Sequence, residues 1–290
     1  MDLQHVMRRQ ANEEAGAPGW RLGLAEGRPV RLPQRFCLRT VGARRSGRTL
    51  ALAALGEQTL AQGGAVLWMD GHVHPPIGAT LRQQAQRHGV RFCTTDENTD
   101  DPEVVAQLFA RGGVGHCVPN RSHGALPVWR ARTARMLRAI ATRDLGASLG
   151  PILIVFNEIA GRYAGEALGL AGLPQRLRAA GHNLVFSDPE IAQEATDVAA
   201  YARQFLFHRV ETAASCHYAQ HVIGPWPAAP SFMGFAWGSP SYRSLEEDLR
   251  LLEWGHGIWY ADGESRLIRA ERPTSIARAS GSLQVDPGRH

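Results

Sequence analysis

The segment VGARRSGRT, Val41 to Thr49, decides how the rest of the chain is read. Gly42 and Gly47 stand five apart, Ser46 lies just before the second, and Arg48-Thr49 follows directly. An apolar stretch, RFCLRTV, precedes the segment, and TLALAALGEQTLAQGG follows it with helical character and a glycine stop. A strand-to-helix turn of this form aims successive backbone N–H groups at one point, where a phosphate can sit. In the standard phosphate-binding loop a lysine reaches the β- and γ-oxygens, and a Ser or Thr hydroxyl holds Mg²⁺. Thr49 has the hydroxyl position, and Arg48 stands where the lysine belongs. A guanidinium is a bulkier, planar cation that attracts phosphate without occupying the same point. Arg45 falls where related loops have glycine, so a left-handed backbone there is strained. Loss of a positioned donor costs about 3–4 kcal/mol of transition-state stabilisation. Nucleotide binding can outlast that loss; efficient hydrolysis does not.

The second half of such a site is an apolar strand ending in an acidic pair, one residue for the Mg²⁺ shell and one to orient water. The candidate is ILIVFNE, closing on Asn157-Glu158. The glutamate is present, whereas asparagine replaces aspartate and keeps an oxygen but no charge.

The chain of 290 residues has a net charge of +5 and contains no lysine, so all 32 cationic side chains are arginine. That excludes a lysine Schiff base, a carbamylated-lysine metal bridge and the usual loop ammonium. The positive balance hints at an anionic partner. Four cysteines (Cys37, Cys93, Cys117, Cys216) lie far apart, which argues for free thiols against a disulfide scaffold or zinc ribbon. No apolar run approaches the roughly 20 residues of a membrane span, and the first residues lack a signal peptide's apolar core. A cytoplasmic protein, held at a membrane only through a partner, is expected.

Residues 1–18 read as a flexible polar arm, 19–273 as a single domain and 274–290 as a disordered tail. Within the domain, RLGLAEGRPVRLP reads as a hairpin, AVLWMDG and VRFCTTD as strands, and ATLRQQAQRHG as a helix. VGHCVPNRSHGALP reads as a loop, and GIWYADGESRLIRAERP as a hairpin turning at Asp262-Gly263. Alternating strands and helices predict an α/β fold, with a mostly parallel central sheet, helices on both faces and a C-terminal β-hairpin.

In that order the segments resemble the RecA-like P-loop motor domain of conjugative coupling proteins, the DNA-pumping ATPases of type IV secretion. GARRSGRT matches the loop, VLWMDG the second strand, VWRARTARMLRAI the Trp-containing helix, ILIVFNE the acidic strand and RLRAAGHNLVFSDPEIAQ the sensor segment. The likeness runs from about Gly19 to Pro273. The departures fall on chemistry: Arg48 for lysine, Asn157 for aspartate, Asp188 for the sensor glutamine, and His72 for the lysine after Asp70-Gly71. The spacing before the acidic strand is also too short for the family's inserted helical domain. The resemblance implies a degenerate, shortened relative: a pseudo-ATPase serving as adaptor or regulatory subunit, beside secretion or conjugation proteins or an active coupling ATPase. It implies Gly42, Ser46, Gly47, Arg48 and Thr49 as nucleotide contacts, with Glu158 catalytic if the site is active.

Two other readings stay open. The first is a weak but working translocation ATPase using Arg48, Thr49 and Glu158. The second is a metal-dependent hydrolase: Asp70-Gly-His72-Val-His74 places two imidazoles at alternate strand positions, able to share one metal. His208, Cys216, His217 and His221 form a further cluster, better read as surface histidines. Arg130, Arg132, Arg135 and Arg138 on a basic helix suit weak DNA contact. Trp226, Phe232, Phe235 and Trp237 suit a protein-contact surface.

Overall fold

The computed structural model describes residues 19–71, 77–95, 112–118, 137–138, 140–141, 152–159, 172–190, 201–224, 226 and 244–274. Strands β1 (Trp20–Ala25) and β2 (Arg28–Leu32) form a hairpin, and β3 (Cys37–Val41) leads through the glycine loop into helix α1 (Arg48–Ala61). Next come β4 (Ala65–Asp70), α2 (Ile77–Arg87), β5 (Arg91–Thr95), β6 (Gly113–Cys117) and β7 (Ile152–Asn157). They are followed by α3 (Leu173–Ala179), β8 (Asn183–Asp188), β9 (Gln204–Phe207), α4 (Ala213–Ile223) and α5 (Leu245–Leu251). The closing hairpin is β10 (His256–Ala261) and β11 (Glu264–Ala270).

All strands join one open sheet in the order β2-β1-β11-β10-β9-β3-β8-β7-β4-β6-β5. From β9 to β5 every pairing is parallel, and from β2 to β9 every pairing is antiparallel. The expected mostly parallel sheet and C-terminal hairpin are both present.

The central strands are continuous apolar runs because both sheet faces are covered. In β4, Leu67 and Met69 enter one core layer while Val66 and Trp68 enter the other. One layer holds Leu52 and Leu55 of α1 with Leu81 of α2; the other holds Leu177 of α3, Ala219 of α4 and Leu249 of α5. Leu137 and Ile140, from the basic helix read in the sequence, are buried in the second layer, and Arg138 is exposed. Both hairpins close on two residues with positive φ, Glu26-Gly27 (49° and 80°) and Asp262-Gly263 (49° and 84°). That is the turn whose twist matches paired strands.

One element was misread. The residues VGHC, placed in a loop by the sequence, form β6 together with Gly113, buried throughout between β4 and β5. Two glycines and a histidine carry little strand propensity, and pairing on both sides overrides it. Among the described residues, no helix is long and apolar enough to cross a membrane.

Candidate nucleotide site

The fold sets β8 between the loop-bearing strand β3 and the acidic strand β7, so the ends of three strands meet at the loop. Register aligns Val41 with Asp188, Ser187 with Asn157, and Asn157 with Asp70. Four of the positions singled out by sequence are thereby drawn into one row: loop, Asp188, Asn157 and Asp70.

Backbone bonds hold the loop from outside. Gly42 N–H donates to the Asp188 carbonyl (3.2 Å), Ala43 N–H to Arg209 (2.7 Å), and Gly255 N–H to Ser46 (3.0 Å). Gly42 has no room for a side chain, since a Cβ there would stand 2.5 Å from His208 Cβ. Gly47 has φ 95°, and its Cβ would stand 2.9 Å from Gly255. Arg45 adopts φ 61°, the left-handed backbone its position foretold, at a cost of about 1 kcal/mol with its side chain exposed. Thr49 is half-buried on the first turn of α1, and Ser46 is buried with no hydrogen-bond partner for its Oγ among the described residues.

Arg48 does not project along the loop as a free cation. Its side chain is 4% exposed; Nη1 donates to the Gly42 carbonyl and Nη2 to Glu158 Oε1 at 2.5 Å. Burial pulls its guanidinium below the ordinary arginine range, opposed by the charges of Glu158 and Asp188. Its Nε is buried without a partner among the described residues. Glu158 itself sits at φ 56°, and its N–H donates to the Ser187 carbonyl (2.6 Å). Its carbonyl passes so close to Gly71 that a Cβ there would lie 2.3 Å from the oxygen. Gly71→Ala is therefore expected to displace Glu158 and lower stability by about 2 kcal/mol or more, read as a fall in urea midpoint.

A second polar group lies behind the acidic strand. Asn157 Nδ2 donates to Asp70 Oδ1 (2.7 Å), and Asn157 Oδ1 accepts from Ser187 Oγ (3.1 Å). Asp70 also accepts from Trp68 Nε1 (3.0 Å) and lies 3.3 Å from His116 Nε2. Both ends of the Asn157 amide are thus engaged. An aspartate in its place would press one carboxylate against another, a buried like-charge contact. The asparagine answers Asp70, and its oxygen is committed to Ser187. Asp188 is fully buried, with a carboxylate oxygen 3.7 Å from Arg39, whose guanidinium lies over the Tyr218 ring at 5.0 Å.

The sequence reading missed the Arg48–Glu158 bond, the Asp70–Asn157–Ser187 chain and the place of His208 beneath the loop. Alternation would have shown Trp68 and Asp70 on one side of β4, but partners on other strands require the register. His208 is buried under the loop, its Nδ1 donating to the His256 carbonyl (3.0 Å). Desolvation, then the Arg48 charge, pushes its pKa down to about 3. Of the residues read as surface histidines, His217 and His221 are exposed on α4, whereas His208 is buried, as is Cys216. His72, His74, Arg130, Arg132, Arg135, Phe232, Phe235 and Trp237 lie outside the described residues. Among the described residues, no three His, Cys, Asp or Glu side chains gather as a metal site. Trp226 is partly buried and donates to Asp248 Oδ2 (2.9 Å), which ties it to α5.

No protein-family model matches the chain, and no curated protein matches it. Solved structures do. The genome packaging NTPase B204 of Sulfolobus turreted icosahedral virus 2, in complex with ATP-gammaS, superposes with a TM-score of 0.53 at 12% identity, over 83% of this chain and 99% of that one. Its sulfate complex gives 0.55 at 10% identity, over 83% and 98%. The fold is that of a RecA-like P-loop NTPase. The pCW3 conjugation coupling protein TcpA, with ATPgS, shares this P-loop fold at a TM-score of 0.53 and 11% identity, over 89% of this chain and 66% of that one. At such identities the P-loop likeness is one of architecture; what the loop of this chain does follows from its own residues.

Proposed function

We propose that the chain is a nucleotide-binding P-loop domain with suppressed hydrolysis, acting as an adaptor or regulatory subunit in a type IV secretion or conjugative DNA-transfer apparatus. The observation that carries the reading is Arg48, turned back onto the Gly42 carbonyl and the Glu158 carboxylate. The cation that would meet the phosphates and the carboxylate that would orient water neutralise each other.

Among the described residues the buried Ser46 Oγ and Arg48 Nε, at the N-terminus of α1 where a phosphate would sit, lack partners. Ser46 and Gly47 would face the phosphates, Gly42 shapes the loop with its N–H on Asp188 and its carbonyl on Arg48, and Thr49 is the hydroxyl at the Mg²⁺ position. Bound ATP supplies a phosphoanhydride; the chain's own residues bind and orient it. Asn157, spent on Asp70 and Ser187, adds no charge to a Mg²⁺ shell. The adaptor role is supported by the family resemblance and by the shared fold with a coupling protein. It places the chain in the cytoplasm, beside an active motor or at a membrane through its partner.

Calorimetry with Mg²⁺ and ATP, followed by turnover on the same sample, tests this. Saturable binding is expected, lost in Gly47→Arg, with turnover at background. Arg48→Lys is expected to free Glu158 and raise turnover at least about tenfold, a modest part of what a positioned donor contributes. No binding at millimolar nucleotide would make the loop a structural relic. Wild-type turnover abolished by Glu158→Gln would instead establish the working-ATPase reading, which the nearness of Glu158 to the loop favours as second.

A further inference from the structure

We propose that Trp254 and Arg272 form a stacking platform for the base of the nucleoside triphosphate, an assignment that rests on the loop being a nucleotide site. Trp254 lies in the turn between α5 and β10 and is 46% exposed, an unusual state for a tryptophan of a folded chain. It is not at an arbitrary place on the surface. The indole Nε1 lies 3.7 Å from where a Cβ on Gly47 would stand, and the next residue, Gly255, donates its N–H to Ser46 O at 3.0 Å. The ring is thereby fixed at the shoulder of the loop, beside the first turn of α1.

One face of the indole is already taken. The Arg272 guanidinium lies 4.0 Å from the ring centroid, a cation–π stack. Arg272 is in turn close to Gly255, whose added Cβ would meet Nη2 at 3.2 Å. The sandwich of guanidinium and indole is pre-ordered, so little side-chain freedom remains to be lost when a flat group lands beside it. A cation and a π surface next to a phosphate cradle match a ligand that is anionic at one end and aromatic at the other. A nucleotide has that chemistry. Stacking reads every base through its π face, so the platform binds the base without selecting its identity.

The test uses the full chain and two ligands, Mg²⁺-ATP and Mg²⁺-tripolyphosphate, titrated by calorimetry into wild type, Trp254→Ala and Trp254→Phe. Trp254→Ala is expected to weaken ATP about tenfold and leave tripolyphosphate within twofold, while Trp254→Phe retains most of the ATP affinity. An equal loss for both ligands would mean that Trp254 props the loop and carries no base. Unchanged ATP affinity in Trp254→Ala would place the base elsewhere; in either case the loop reading stands. If the wild type binds neither ligand, the loop reading fails and the platform with it. Quenching of tryptophan emission by ATP, absent with tripolyphosphate and lost in Trp254→Phe, is the independent readout.

Discussion

Glu158→Ala is expected to lower the unfolding free energy by about 3 kcal/mol, because it removes the carboxylate bonded to the buried guanidinium of Arg48, which the charge of Asp188 replaces only in part. The gross attraction inside the pair is not the relevant quantity. Desolvation consumes most of it while the pair is intact; it is the orphaned partner that costs. Alanine leaves the left-handed backbone at residue 158 as strained as glutamate does, so the change reports on the side chain alone. The Gly42 carbonyl stays on Arg48 and offsets part of the loss. Joint replacement, Arg48→Met with Glu158→Leu, is expected to return stability to within about 1 kcal/mol of wild type. Urea unfolding of wild type, Arg48→Met, Glu158→Leu and the double variant gives the coupling energy directly. A cost under 1 kcal/mol for Glu158→Ala would mean that Arg48 swings into solvent, and the suppression argued for the site would lose its basis.

Acid is expected to weaken the fold through His208. Its pKa is about 3 in the folded chain against an ordinary value of 6.5. Between those two values the unfolded chain binds a proton that the native chain refuses, so stability falls as pH drops through 6.5 and keeps falling toward 3. At 1.36 kcal/mol per pH unit, the move from pH 7 to 4.5 removes roughly 2–3 kcal/mol by this group alone. The cause is geometric: the ring is enclosed, its Nδ1–H is spent on the His256 carbonyl, and the cation of Arg48 lies near. His208→Asn keeps a donor for that carbonyl and does not titrate. The difference between wild type and variant in urea midpoint, pH 7 against pH 4.5, isolates His208 from other titrating groups. Equal acid sensitivity in both chains would show that the imidazole takes up its proton without unfolding.

Much of this architecture was legible because local and global signals agreed. AVLWM and ILIVF are apolar without a break, which only strands covered on both faces require, and Asp262-Gly263 names its own turn. The loop was readable from Gly42, Gly47 and the strand before them, and Arg45 was flagged where the backbone is left-handed. What escaped was relational. Nothing local in Asn157 says that it faces Asp70; that follows from the pairing of β4 with β7. Nothing in Arg48 says that its guanidinium ends on Glu158, 110 residues away. β6 was lost for the opposite reason: Gly113, Gly115 and His116 have poor strand propensity, and the environment supplies what the residues lack.

The three bonds that brace the loop, from Gly42, Ala43 and Gly255, run from main chain to main chain. Side chains enter none of them. Apart from Arg48, whose guanidinium holds the Gly42 carbonyl, the shape of the cradle is consequently indifferent to most of the residues it displays, provided the small positions stay small. Such a scaffold lets the chemistry at its rim be rewritten, lysine to arginine or aspartate to asparagine, with the curvature preserved. A chain built this way can give up turnover and still keep a fitted receptacle, which is the raw material for a sensor.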